Sequence, residues 1–249
     1  MLEMNRYNEF ASLYDELMND FDYEKWFNYI EEIFVKYKIS PTKVLEMACG
    51  TGNLSIHLAE KGYKLTCFDL SEEMLAQAYE KLNRFKNVKL LNGNMINFKI
   101  NQKFDSIISI CDSINYITDL EDLKSTFENV YNHLDDNGIF IFDINSFYKI
   151  SEIIGNNIFV EDREDIFYTW QNYYDSETMI CEFYLSFFIK ENEDNYIRFD
   201  EEHKERAYTV DEIISTLKSV GFNSIDYFEA FTLEEINSTT ERINFVACK

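Results

Sequence analysis

Proline occurs once in 249 residues and glycine only seven times. So little of either excludes a linker-dominated or low-complexity chain, and it makes each occurrence a marker of where an element stops. Basic side chains are also scarce. Lys and Arg number 23 against 46 Asp and Glu, giving a formal charge of -23 and a sequence pI of about 4.4. Such a surface repels phosphate backbones, so nucleic acid and anionic membranes are poor partners. No Cys-x-x-Cys occurs among the five cysteines, and the three histidines lie far apart. Neither a metal site nor a disulfide framework is therefore suggested. No apolar run approaches the length of a membrane span, and residues 1–8 lack the apolar core of a secretory signal, so a cytoplasmic protein is expected. What the chain does have is core material: 46% hydrophobic residues, with 17 Tyr and 22 Phe. That suffices for an α/β domain with an insertion.

The chain is organised around Val44-Leu-Glu-Met-Ala-Cys-Gly-Thr-Gly-Asn-Leu54. A buried strand over 43–47 runs into two glycines one residue apart, and a helix follows that stops at Lys61-Gly62. A glycine turn lets a ligand approach the backbone, and the helix behind it offers unpaired N–H groups. A dinucleotide fingerprint would place a third glycine where Ser55 stands. A carboxylate at Glu46 would repel a pyrophosphate but attract a cation. S-adenosylmethionine carries a sulfonium and an ammonium and no phosphate, so it suits the stretch better.

Around this unit the periodicity predicts helices over 7–38, strands over 64–69 and 88–92, and a helix over 72–83 capped by Ser71. A strand over 104–111, a helix over 120–134, a tight turn at Asp136-Asn-Gly138 and a strand over 139–144 come next. Alternation of this kind implies a parallel sheet with helices on both faces. From Ile158 to Arg206 the pattern becomes aromatic and β-branched with no convincing helical period, which predicts an antiparallel β meander. A helix over 209–220 then starts with a Thr209/Glu212 capping box and stops at Gly221. Strands over 222–231 and 242–248 complete a seven-stranded sheet. The expected organisation is thus residues 1–146 as N-terminal helices plus ligand-binding α/β core, 147–207 as a β insertion over the site, and 208–249 as the rest of the core.

In such a sheet ligands sit beyond the carboxyl ends of the strands. Those ends supply Glu46, Ala48, Gly50 and Gly52, then Asp69 and Leu70, then Asn94 and Met95, then Cys111, Asp112 and Ser113, and finally Asp143 and Asn145. Asp69 stands where an acid pairs with ribose hydroxyls. Asn94 suits an adenine amino group, and Met95 and Leu70 suit its ring faces.

Taken together, Val44-Leu-Glu-Met-Ala-Cys-Gly-Thr-Gly-Asn, Phe68-Asp-Leu-Ser-Glu-Glu-Met-Leu, Asn92-Gly-Asn-Met95 and Phe104-Asp-Ser-Ile-Ile-Ser resemble the class I S-adenosylmethionine-dependent methyltransferases. The resemblance implies a Rossmann-like methyltransferase fold and S-adenosylmethionine as cofactor. It implies that Glu46, Ala48, Gly50 and Gly52 hold the methionyl part, Asp69 the ribose, and Leu70, Met74, Asn94 and Met95 the adenine, with Cys111 near the sulfonium. Ala48 replaces a more usual glycine, and Asn94 a more usual aspartate. The stretches Tyr7-Asn-Glu-Phe-Ala-Ser-Leu-Tyr14-Asp15 and Glu202-His-Lys-Glu-Arg-Ala-Tyr208 look like the narrower group of small-molecule and sugar amino N-methyltransferases. That likeness implies that Tyr7 and Tyr14 approach the cofactor and that Tyr14 or Arg206 faces an acceptor; His203, the only histidine near the expected β insertion, is a further candidate catalyst. The expected activity is N- or O-methylation of a small-molecule acceptor by a monomer or homodimer. RNA or protein methylation, a non-catalytic cofactor-binding protein, and a nicotinamide dehydrogenase stand as the rival readings.

Overall fold

The computed structural model of the chain describes residues 11, 13–18, 21–192 and 195–249. Residues 13–17 are helical. Tyr7 lies outside the described residues.

Helix α1 (Tyr23–Lys36) begins at Asp22, whose side chain accepts from Lys25 N. Strand β1 (Lys43–Met47), helix α2 (Asn53–Lys61), β2 (Lys64–Asp69), α3 (Glu72–Leu82), β3 (Val88–Asn92), β4 (Phe104–Ser109), α4 (Leu120–His133) and β5 (Leu134–Asn145) then alternate. Four strands form the insertion: β6 (Ile158–Asp162), β7 (Ile166–Asp175), β8 (Ile180–Lys190) and β9 (Tyr196–Arg206). Helix α5 (Val210–Val220), with both halves of its capping box in place, precedes β10 (Ser224–Glu229) and β11 (Arg242–Cys248).

Seven strands make one sheet in the order β10-β11-β5-β4-β1-β2-β3. Strands β1 to β5 run parallel, and β11 is antiparallel to both of its neighbours. Alternation along the strands feeds two separate cores. Leu45, Met47, Ile107, Phe140 and Phe142 pack with Leu123 and Phe127 of α4 and Leu217 of α5. Val44, Leu65, Ile108 and Ile141 pack with Trp26 and Ile30 of α1 and Leu58 of α2. The order reverses direction at β1, between β2 and β4, which is where a parallel sheet opens a ligand crevice.

The remaining four strands form a second, wholly antiparallel sheet in the order β6-β7-β8-β9. Two boundaries differ from expectation. Strand β4 stops at Ser109 because Cys111 and Asp112 take left-handed φ values of 60° and 51°. The tight turn at 136–138 is absorbed into β5, which starts directly at the end of α4. Asn137 turns left-handed there (φ 65°), and the register against β4 shifts between Phe104 and Ser106. Periodicity also gave no sign of the π-helical turn at Lys149–Ile154, closed by Gly155, whose N–H donates to Ile150 O (2.8 Å).

Candidate functional site

The turn after β1 places Ala48, Gly50 and Gly52 at φ 51°, 55° and 82°. The two glycines serve different ends. A Cβ on Gly52 would lie 3.1 Å from Leu82 and 3.2 Å from Ala78, so this glycine lets the start of α2 sit against α3. A Cβ on Gly50 would meet nothing within 4 Å, so the space beside it is open. Gly50 N donates to Asp69 Oδ2 (2.8 Å) and Ser71 N donates to Asp69 Oδ1 (2.9 Å). The backbone thus fixes the carboxylate at the end of β2. Burial pushes the Asp69 carboxyl up, and these N–H groups pull it back only in part.

Glu46 is 2% exposed. Ser55 Oγ donates to its Oε2 (2.6 Å), and Cys67 Sγ lies 3.7 Å from the same oxygen. Burial pushes the Glu46 carboxyl up to about 7, against the hydroxyl and thiol that favour its charged form. Ser55, at the third fingerprint position, therefore supports the acid through a hydrogen bond.

These groups line a cavity of about 480 Å³ with Tyr14, Ala48, Gly50, Leu70, Met74, Met95 and Cys111. Two expected residues stand outside it. Gly52 is spent on helix packing, and Asn94 turns its Oδ1 to Ile96 N (2.9 Å) within its own turn. Sequence reasoning passed over Tyr23, Thr51, Asn53, Tyr116 and Ser71 as lining residues. Among the described residues that line it there is no Lys or Arg. A buried acid, an oriented second acid, open backbone at Gly50 and apolar walls fit S-adenosylmethionine, and the missing cations make the cavity a poor host for a pyrophosphate.

The N-terminal segment is pinned over this cavity. Asp15 accepts from Thr51 Oγ1 (2.6 Å) and Asn53 Nδ2 (2.9 Å) and pairs with Lys81 on α3 (2.5 Å). Burial pushes its carboxyl up, but hydrogen bonds from Lys81, Thr51 and Asn53 outweigh that and hold it below the usual range. The preceding residue, Tyr14, lines the cavity beside Tyr23 and Asn53.

A second cavity, of about 340 Å³, lies between that segment and the insertion sheet. Leu17 and Phe21 form one wall; Tyr168, Trp170, Phe183, Leu185 and Phe187 form the other. Asp112, Asn145, Lys149, Glu205 and Arg242 make its polar end. The two cavities share Tyr14, Cys111, Tyr116 and His203. Burial raises the Tyr14 and Tyr116 phenols and the Cys111 thiol and lowers the His203 imidazole, so all four are neutral near pH 7. The rings of His203 and Tyr116 meet edge-on at 5.8 Å.

Arg206 does not join them. It bonds to Thr178 O (3.0 Å) and Glu212 Oε1 (2.9 Å), tying the insertion to α5 outside both cavities. The reason is the period of a strand. His203 and Glu205 share one face of β9, and Arg206 takes the other. That same period was the available signal for Glu205, which sequence reasoning missed along with Lys149, Trp170 and Arg242.

A family model described as a methyltransferase domain matches residues 44–138. Over 244 residues the chain is 37% identical to the putative methyltransferase YqeM of Bacillus subtilis (strain 168), covering 98% of this chain and 97% of that one. The crystal structure of an S-adenosylmethionine-dependent methyltransferase from Clostridium acetobutylicum superposes with a TM-score of 0.89 at 41% identity, covering 97% and 98%. Over a shorter stretch of 100 residues, 40% of this chain and 41% of the relative, it is 28% identical to dTDP-3-amino-3,4,6-trideoxy-alpha-D-glucopyranose N,N-dimethyltransferase of Streptomyces venezuelae.

Proposed function

Because the chain belongs to the S-adenosylmethionine-dependent methyltransferases, we propose that it methylates a nitrogen or oxygen of a small-molecule acceptor in the cytoplasm. The observation that carries this reading is the pair of cavities meeting at Tyr14, Cys111, Tyr116 and His203. The second cavity is enclosed by a sheet of aromatic side chains and has the volume of a small molecule, not of a macromolecular strand. The acidic surface adds to the case against RNA. The S. venezuelae relative, named for an amino-sugar acceptor, is consistent with a small acceptor.

Bound S-adenosylmethionine supplies an electrophilic methyl group on a positively charged sulfur. On this reading Glu46 and the backbone at Gly50 hold the methionyl end, Asp69 holds the ribose hydroxyls, and Leu70, Met74 and Met95 cover the adenine. Tyr14, Tyr116, Cys111 and His203, neutral near pH 7, surround the junction at which acceptor and methyl group would meet. Alignment and exclusion of water can supply up to roughly 7–11 kcal/mol of rate enhancement.

A thermal-shift panel tests the cofactor half. Ligand at 100 times its dissociation constant stabilises by about 2.7 kcal/mol. S-adenosylmethionine and S-adenosylhomocysteine should each raise the melting temperature, and NAD should not. A response to NAD alone would overturn the reading.

A further inference from the structure

The insertion sheet turns one face to the second cavity. Strand β9 places His203 opposite Phe183 and Glu205 opposite Cys181 on that sheet. Glu205 is 3% exposed, and its Oε2 accepts from Asn145 Nδ2 (3.2 Å). Asn145 Oδ1 accepts in turn from Lys149 Nζ (3.0 Å), so one amide holds an acid and a base apart. Arg242 is committed to Asp112 (2.7 Å) and to Asp143. Asp112 and Glu205 line this end with Arg242 and Lys149, and the buried Asp143 stands behind Arg242, so that with all groups ionised three acids accompany two bases. The rest of the wall is apolar, and the Trp170 indole N–H is buried in it without a hydrogen-bond partner.

We propose that the methyl acceptor is a small primary or secondary amine with an aromatic or aliphatic body and no phosphate, its nitrogen received by Glu205. The proposal rests on the small-molecule reading above. An ammonium entering this end favours the ionised form of Glu205, which gives three acids against two bases. A phosphate or carboxylate would add to that surplus beside an arginine whose charge is already matched, and a buried anion without a cation is costly. Before attack the nitrogen must be neutral. One proton passes from the ammonium to the Glu205 carboxylate, leaving a free amine and a carboxylic acid. Burial pushes the Glu205 carboxyl well up, which suits it to hold that proton.

The test measures S-adenosylhomocysteine release at saturating S-adenosylmethionine. The acceptors are benzylamine, tyramine and N-methylbenzylamine, with 4-methylphenol, benzoate and a thymidine-diphosphate amino sugar as counterparts. Turnover is expected on the three amines only. Glu205→Gln should lower kcat/KM for the amines by roughly 100-fold, while the dissociation constant for S-adenosylmethionine stays within about twofold. Turnover on the phenol, the benzoate or the nucleotide-linked sugar overturns the proposal, as does silence from every amine or an unchanged kcat/KM in Glu205→Gln. The wild-type panel decides the matter even if the variant does not fold. Loss of S-adenosylmethionine binding in the wild-type protein would instead sink the methyltransferase reading, so the two failures are distinguishable.

Discussion

The two cavities share a wall but are built from different materials. The larger is made of strand ends and turns: left-handed residues at Ala48, Gly50 and Cys111, and N–H groups of Gly50 and Ser71 that hold Asp69. The smaller is made of side chains, one face of the insertion sheet closed by the N-terminal segment. Backbone-built sites depend on a few fixed positions, while side-chain-built sites can change specificity by substitution without disturbing the fold. Cofactor and acceptor recognition should therefore separate cleanly under mutation.

The largest separation is expected from Asp69→Ala. It removes a charge-assisted acceptor held by two N–H groups, leaves those groups unsatisfied, and should weaken S-adenosylmethionine about 100-fold or more by titration calorimetry. If binding is intact, the ribose assignment falls.

Next comes the pH dependence of Glu46. Its folded-state carboxyl titrates at about 7, above its ordinary 4.5, because it is buried. The folded protein therefore holds a proton that the unfolded chain has released between these two values. The contribution to stability is present below about 4.5 and is lost as pH rises to about 7, a loss on the order of 3 kcal/mol. A cationic ligand prefers the ionised form, so affinity for S-adenosylmethionine should rise with pH up to about 7, by at most about tenfold per pH unit, and level off above it. In Glu46→Gln both slopes should flatten. If calorimetry from pH 5.5 to 8 shows the same slope in variant and wild type, Glu46 does not face the ligand's cation.

Trp170→Ala sharpens the comparison from the other side. It enlarges only the smaller cavity. Its kcat/KM should fall about tenfold or more with an active acceptor, with the cofactor dissociation constant unchanged. A parallel loss of cofactor affinity would show that the cavities act as one.

The smallest effect is expected at Ala48. A left-handed φ of 51° costs an alanine roughly 1–2 kcal/mol, part of which a glycine returns as greater freedom of the unfolded chain. Ala48→Gly should raise stability by up to about 1 kcal/mol in urea unfolding, and a decrease would mean that the methyl group packs usefully.

How much of this was legible beforehand follows the same division. The strand–turn–helix unit at 43–61, the acid at Asp69, the cap at Ser71 and the capping box of α5 are written in short-range patterns, because each depends on neighbours within a few residues. The alternating elements likewise imposed the parallel sheet, and the aromatic run after Ile158 imposed the antiparallel one. Tertiary structure alone decided which side chains meet across it. Glu205 faces Asn145 over 60 residues of chain, Arg242 reaches Asp112 over 130, and Asp15 clamps Lys81 from the far side of the crevice. It also turned Arg206 outward and Asn94 aside, since a strand's period and a turn's hydrogen bonds decide direction where residue type cannot. Local sequence sets backbone geometry through torsional preference and capping, whereas a cavity lined from distant strands exists only once the sheets have packed.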